Sequence, residues 1–144
     1  MEFVRGYRLD DYEAVKALYM QNDLFGGQFD EARDAPERLA AAVAEDRQSI
    51  LVFERGGVIW GTVSLIENAR VAWLFRFAVA EGEQAGEVAK ALYGVACRTL
   101  AERGHGQVLV YSPAGYEELT RRYLELGLTH GQDYTCFWSE LRQE

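Results

Sequence analysis

The chain has 144 residues, 49% of them apolar and 26% charged, with a formal net charge of −8 from 23 acids and 15 bases. That size and make-up suit one globular domain with a sizeable core and exclude a disordered chain. No apolar run approaches the ~20 residues of a membrane helix. The acidic balance argues against nucleic acid or an anionic membrane as partner and for cationic or neutral ones. Residues Met1-Glu2-Phe3-Val4-Arg5 lack the apolar centre of a signal peptide, so a cytoplasmic protein is expected. Without repeats or a Gly/Ser linker, residues 1–144 are read as a single domain. Cys97 and Cys136 have no C-x-x-C companion and, with two histidines, assemble no zinc-ligand spacing. Both are expected as small buried side chains, and no metal is expected.

In chain order, Glu2 to Arg8 reads as the first strand. Asp10, with Glu13 three residues on, marks a capping box, and Val15, Leu18 and Tyr19 stripe the first helix. Asn22 to Arg33 reads as a loop or irregular helix. Asp34, Pro36 and Glu37 start a second helix that ends near Asp46. Ile50 to Phe53 is a short apolar strand, Gly56-Gly57 a tight turn, and Val58 to Ile66 the returning strand. Gly61 in its middle signals a close approach. Val71 to Val79, apolar on both faces, reads as a central strand. Val88, Ala91, Leu92, Val95 and Thr99 recur at helical spacing up to Gly104. Val108 to Tyr111 has parallel-strand character, and the unit from Val71 to Tyr111 is expected to be a right-handed crossover. Leu119, Tyr123 and Leu126 mark a last helix closed by Gly127. Tyr134 to Leu141 reads as a final aromatic strand, serving as core or as a pairing surface. The order is β-α-α-β-β-β-α-β-α-β, an α/β fold with helices on both faces of a mixed sheet.

That order, at this length, resembles the GNAT superfamily of acyl-CoA N-acyltransferases over nearly the whole chain. Three segments carry the likeness. Glu54-Arg55-Gly56-Gly57-Val58-Ile59-Trp60-Gly61-Thr62-Val63 is similar to the family hairpin. Phe77-Ala78-Val79, five residues and Gln84 are similar to the strand, loop and helix of the acyl-CoA site. Arg122-Tyr123-Leu124-Glu125-Leu126-Gly127-Leu128 resembles the C-terminal aromatic-Tyr-x-x-x-Gly-Phe signature.

The resemblance implies an N-acetyltransferase using acetyl-CoA as co-substrate, with a small-molecule or peptide amine as acceptor and a homodimer as one arrangement. Phe77, Ala78 and Val79 with Gln84, Ala85, Gly86, Glu87, Val88 and Ala89 would hold the coenzyme, the pantetheine arm lying beside a bulge at Phe75 to Val79 and the pyrophosphate on the helix N-terminus. Within the family loop pattern Gln84 and Ala89 fit, whereas Glu87 stands where the middle glycine belongs. An anion there, with Glu81 and Glu83 close by, opposes a pyrophosphate. Arg121 and Arg122 are candidates for the compensating charge. Tyr123 matches the general acid that protonates the leaving thiolate, and backbone N–H groups near Val79 would hold the oxyanion. Trp73 occupies the place of the glutamate base found in some members. Glu67 and Asp133 remain candidates, as does a less basic amine that needs no base. The rival reading is a non-catalytic GNAT-fold module that binds a ligand or a partner protein.

Overall fold

The computed structural model describes residues 2–21 and 29–141. Alternating strands with apolar side chains pair in chain order into an antiparallel sheet: β1 (Glu2–Gly6), β2 (Ile50–Arg55), β3 (Val58–Glu67) and β4 (Ala72–Val79). The β2–β3 connection takes φ of +59° at Gly56 and +79° at Gly57. Two consecutive positive φ values are the signature of a hairpin turn whose twist matches its strands, and glycine adopts them without strain. Where Val71 to Val79 reads as a central strand, β4 pairs with β3 on one side and with Leu109, in parallel, on the other.

Helices cover both faces. Ile50 and Val52 of β2 point towards α1 (Tyr12–Met20) and α2 (Pro36–Glu45), meeting Val15, Leu18, Tyr19 and Leu39. Leu51 and Phe53 point the other way, into a larger cluster with Val88, Leu92 and Leu100 of α3 (Ala85–Glu102) and Leu119 and Tyr123 of α4 (Glu117–Leu126). Burial on both faces explains the near-continuous apolar run of β2. The close approach at Gly61 is made by α3: a Cβ there would lie 2.7 Å from Val88 Cγ1 and 2.9 Å from Leu92 Cδ1. Gly104 and Gly127, with φ of +96° and +109°, follow the ends of α3 and α4 as the sequence predicts.

Five expectations need correction. The carboxylate at the start of the first helix belongs to Asp11: it accepts the Arg8 N–H at 2.8 Å and pairs with Arg5, and a 3₁₀ turn (Leu9–Asp11) precedes α1. Ala35 is the N-cap of α2, because Asp34 turns its side chain to Arg76. Val108 to Tyr111 contributes a single parallel bridge, Trp73 to Leu109, in place of a strand. Tyr134 to Leu141 forms no strand, and its side chains are exposed. A strand exists only with a partner, and no backbone hydrogen bond joins residues 129–141 to the described sheet. Cys136, on that segment, is accordingly exposed, while Cys97 is half-buried. Most of the expected Asn22-to-Arg33 loop, residues 22–28, lies outside the described residues.

Candidate active site

The site begins with one extra residue. Thr62 pairs with Ala78 and Ser64 with Phe75, so two steps along β3 oppose three along β4. Arg76 takes up the difference with φ of +52°, the positive-φ residue among the described non-glycines. Such backbone costs about 1–3 kcal/mol and persists where the surroundings impose it. Asp34 is the imposing group here. Its carboxylate meets Arg76 Nη2 at 2.9 Å and Nε at 3.1 Å, with the side chains 3% and 10% exposed. Asp34 is itself fixed: it accepts the Asp30 N–H at 2.8 Å, and its carbonyl accepts the Tyr12 hydroxyl at 2.8 Å. Behind the bulge, burial pushes the Tyr19 phenol up to about 12 against a hydrogen bond with Ser64, so it stays protonated at neutral pH.

On the other edge of β4, Leu109 donates to Ala72 O at 3.0 Å and accepts from Leu74 N at 2.8 Å. Past Leu74 the bulge carries β4 away, and a cleft of about 490 Å³ opens between the two segments. Trp73, Phe75, Phe77, Tyr111 and Tyr123 give it five aromatic rings, and Arg76 lines it as well. Trp73 and Tyr111 meet edge to face, centroids 4.6 Å apart. Phe77 and Tyr123 lie 6.4 Å apart.

A second groove, about 590 Å³, runs between the first turns of α3 and the side of α4, lined by Gly86, Glu87, Ala89, Lys90, Arg122, Glu125 and Leu126. Among the described residues no backbone acceptor meets the amide hydrogens of Gly86 or Glu87, and a Cβ on Gly86 would touch nothing within 4 Å. Donors in open space at a helix start are what an anion requires. Glu87 does not close the groove: its carboxylate accepts from Arg55 Nη2 at 2.8 Å, across from the hairpin turn.

The predicted residues are divided by these surfaces. Phe77 and Tyr123 line the aromatic cleft; Gly86, Glu87 and Ala89 line the groove. Val79, Ala85 and Val88 place their side chains in the core beneath α3, and Ala78 faces α1 instead. Gln84 folds back, donating from Nε2 to Ala80 O at 3.3 Å and Glu81 O at 3.2 Å, so it shapes the loop before α3. Arg122 lines the groove and also pairs with Glu118 at 3.5 Å, while Arg121 pairs with Glu118 and Glu125 along α4. Of the base candidates, Glu67 binds Arg103 and His105, and Asp133 lies 3.3 Å from His130; neither lines the cleft. The residues that sequence reasoning missed are Arg76 and its partner Asp34. A lone charge inside the apolar run Phe75-Arg76-Phe77 was the available signal. Among the described residues no group of three or more His, Cys, Asp or Glu side chains could hold a metal, and no helix is long and apolar enough to cross a membrane.

No family model matches the sequence, and no curated protein matches it either. The structure nevertheless has the fold of the GNAT N-acetyltransferases. Ard1 from Thermoplasma volcanium is similar with a TM-score of 0.74 at 18% identity, covering 91% of this chain and 84% of its own. The PaiA N-acetyltransferase from Thermoplasma acidophilum, solved with coenzyme A, gives 0.73 at 15% identity, covering 88% and 89%. AAC(6')-Iy, solved with a bisubstrate analogue, gives 0.72 at 16% identity, covering 97% and 99%.

Proposed function

We propose that the protein is an N-acetyltransferase that moves the acetyl group of acetyl-CoA directly to an amine. The observation that carries this reading is the junction at α4: an aromatic cleft opened by the β4 bulge on one side, and the open amides of α3 on the other. The amides, with Lys90 on the same helix and Arg122 on α4 across the groove, suit a pyrophosphate. The splayed cleft suits an extended arm ending in a thioester beside Tyr123. The amine nitrogen would attack the thioester carbonyl carbon, the C–S bond would break, and the Tyr123 hydroxyl would give its proton to the leaving sulfur. The amine's surplus proton would pass to water, since among the described residues no carboxylate lines the cleft. That favours an acceptor such as an α-amine, with a pKa of roughly 7.7–8.0, over a lysine near ~10.4. The absence of a lining carboxylate among the described residues equally fits a GNAT-fold module that binds without catalysing.

Thermal melting with acetyl-CoA decides whether the site binds. Ligand at a hundredfold its Kd should add about 2.7 kcal/mol of stability, or several degrees for a domain of this size. An unmoved midpoint at millimolar ligand would leave the binding reading without support. In a positive case, Tyr123→Phe should keep the shift while slowing turnover on an amine panel by roughly 10²-fold. Equal turnover would remove the general acid.

A further inference from the structure

The cleft beside Tyr123 has a wall on each side of the sheet. Phe77 and Tyr123 belong to the core layer beneath α3, the side on which the α3 amides open. Ala72 and Leu74 of β4 face that layer too, so Trp73 between them points to the opposite face. Ile66 is paired with Trp73 and Ser64 with Phe75, and cross-strand partners share a face. Ser64 bonds to Tyr19 of α1, which identifies that face as the α1 side. Tyr111 supplies the facing wall, its ring edge to face with Trp73 at 4.6 Å. Packing by α1 leaves Ser64 8% exposed, whereas Ile66, next along that face, is 48% exposed and Tyr111 60%.

The α1-side mouth is therefore open and apolar, built from an indole, a phenyl ring, a phenol and a branched alkyl group. Among the described lining residues its one charged side chain is Arg76. That charge is matched by Asp34 at 2.9 Å, and the guanidinium lies 4.7 Å from the Phe75 ring centre. An ammonium entering here meets no carboxylate among the described lining residues, and leaving water without one is costly. A cation–π place on Phe75 is already held by Arg76. An aromatic ring, by contrast, leaves water favourably and finds ring edges and faces to meet.

We infer that this mouth receives the side group of the acceptor and selects an aromatic one. The substrate is then an α-amine whose own side chain is an uncharged aromatic ring, with Trp73 and Tyr111 as the specificity-determining residues. The inference rests on the acetyl-transfer reading, which puts the coenzyme on the α3 side and leaves the α1 side for the amine. A net charge of −8 draws cations to the surface as a whole. The cleft favours the opposite choice, so the two expectations separate in an assay.

Amino-acid amides keep the amine constant while the side chain changes. At a pH of about 8.5, α-amines with a pKa of roughly 7.7–8.0 are mostly neutral. There phenylalaninamide should be acetylated with a kcat/KM at least ~10-fold above alaninamide, the order expected for a group that fills an apolar pocket. Lysinamide should not exceed alaninamide. Equal rates for phenylalaninamide and alaninamide, or a lead for lysinamide, would overturn the inference and leave acetyl transfer standing. Tyr111→Ser, at an exposed position, should lower the phenylalaninamide-to-alaninamide ratio through KM for the aromatic amide, and Trp73→Leu should lower it further. A merely structural loss would slow both amides alike, and a ratio unchanged in both variants would overturn the assignment. A short peptide amide beginning with Phe separates the sources of such an amine: turnover above phenylalaninamide marks a peptide N-terminus, and turnover below it a small molecule, the aromatic preference holding in either case. If no amide is acetylated, calorimetry of phenylalaninamide against the protein reads the subsite directly. Binding that weakens in Tyr111→Ser would keep the aromatic subsite while the transfer reading fell, and no binding would overturn the inference as well.

Discussion

Strands β1 to β4 and the chain beyond α3 are held by different means. In the first region every strand has a ladder with its sequence neighbour, broken by one register shift in each of the β2–β3 and β3–β4 pairs, and buried side chains leave both faces of the sheet. Ion pairs tie its ends: Arg5 bridges Asp11 and Glu54, each at 2.8 Å. In the second region one bridge at Leu109 and the apolar stripe of α4, with Leu119 and Tyr123 buried, attach the remainder. The candidate site lies where one regime gives way to the other. A fully paired sheet has no room for a substrate arm, and an unpaired segment cannot hold a reacting group still. The cleft takes one wall from each.

Substitutions in the paired region should therefore act on stability and those near the boundary on binding, and a reversal would break the contrast. The largest effect is expected from Asp34→Ala. It strands the Arg76 guanidinium in a site 10% exposed, and breaking a buried pair costs about 3–5 kcal/mol. Urea unfolding should show it, and a loss below ~1 kcal/mol would mean that the bulge stands without its partner. Gly61→Ala forces α3 off the sheet at contacts of 2.7 and 2.9 Å. Overpacking of this kind costs about 1–3 kcal/mol, read as a lower melting temperature.

A smaller effect concerns acid. Burial opposes the charge on Asp11, but the bonds from Arg5 and Arg8 outweigh it and hold the carboxyl below its usual 3.8. A depressed carboxyl stabilises the fold at neutral pH, and that contribution declines as pH falls below about 3.8. Melting curves from pH 7 to 3 should converge for the native chain and Asp11→Asn at the acid end; parallel curves would remove Asp11 from the acid response. The smallest stability effect is expected at Glu87→Gln. The pair with Arg55 is exposed, and such pairs contribute within ~0.5 kcal/mol. The same change should tighten acetyl-CoA severalfold by removing an anion from the groove, which calorimetry would report.

Legibility in the sequence followed the same division. Strand and helix periodicities, the Gly56-Gly57 turn and the glycines ending α3 and α4 are local signals, and each lies where the residues point. Tyr134 to Leu141 carries an equally clear local pattern and forms no strand, because pairing depends on an edge elsewhere in the chain. Asp34 has the composition of a helix cap, yet its partner is 42 residues away. The competition between capping α2 and neutralising Arg76 is settled by burial, which spacing does not reveal. The junction of Tyr123 with Phe77 was reached through family resemblance; helical periodicity alone makes Tyr123 a core residue, and at 7% exposure it is that too.

The extra residue in β4 also resets the strand's phase. Ala72 and Leu74 turn towards α3, and in an unbroken alternation the next even position, Arg76, would carry its charge into that same apolar layer. With one residue inserted, Phe77 and Val79 take over the α3 side and Ala78 the α1 side, leaving Arg76 to reach Asp34. Deleting Arg76 would therefore restore a plain alternation with Phe77 and Val79 still on the α3 side and Ala78 still on the α1 side, at the loss of the bulge and of the pair with Asp34.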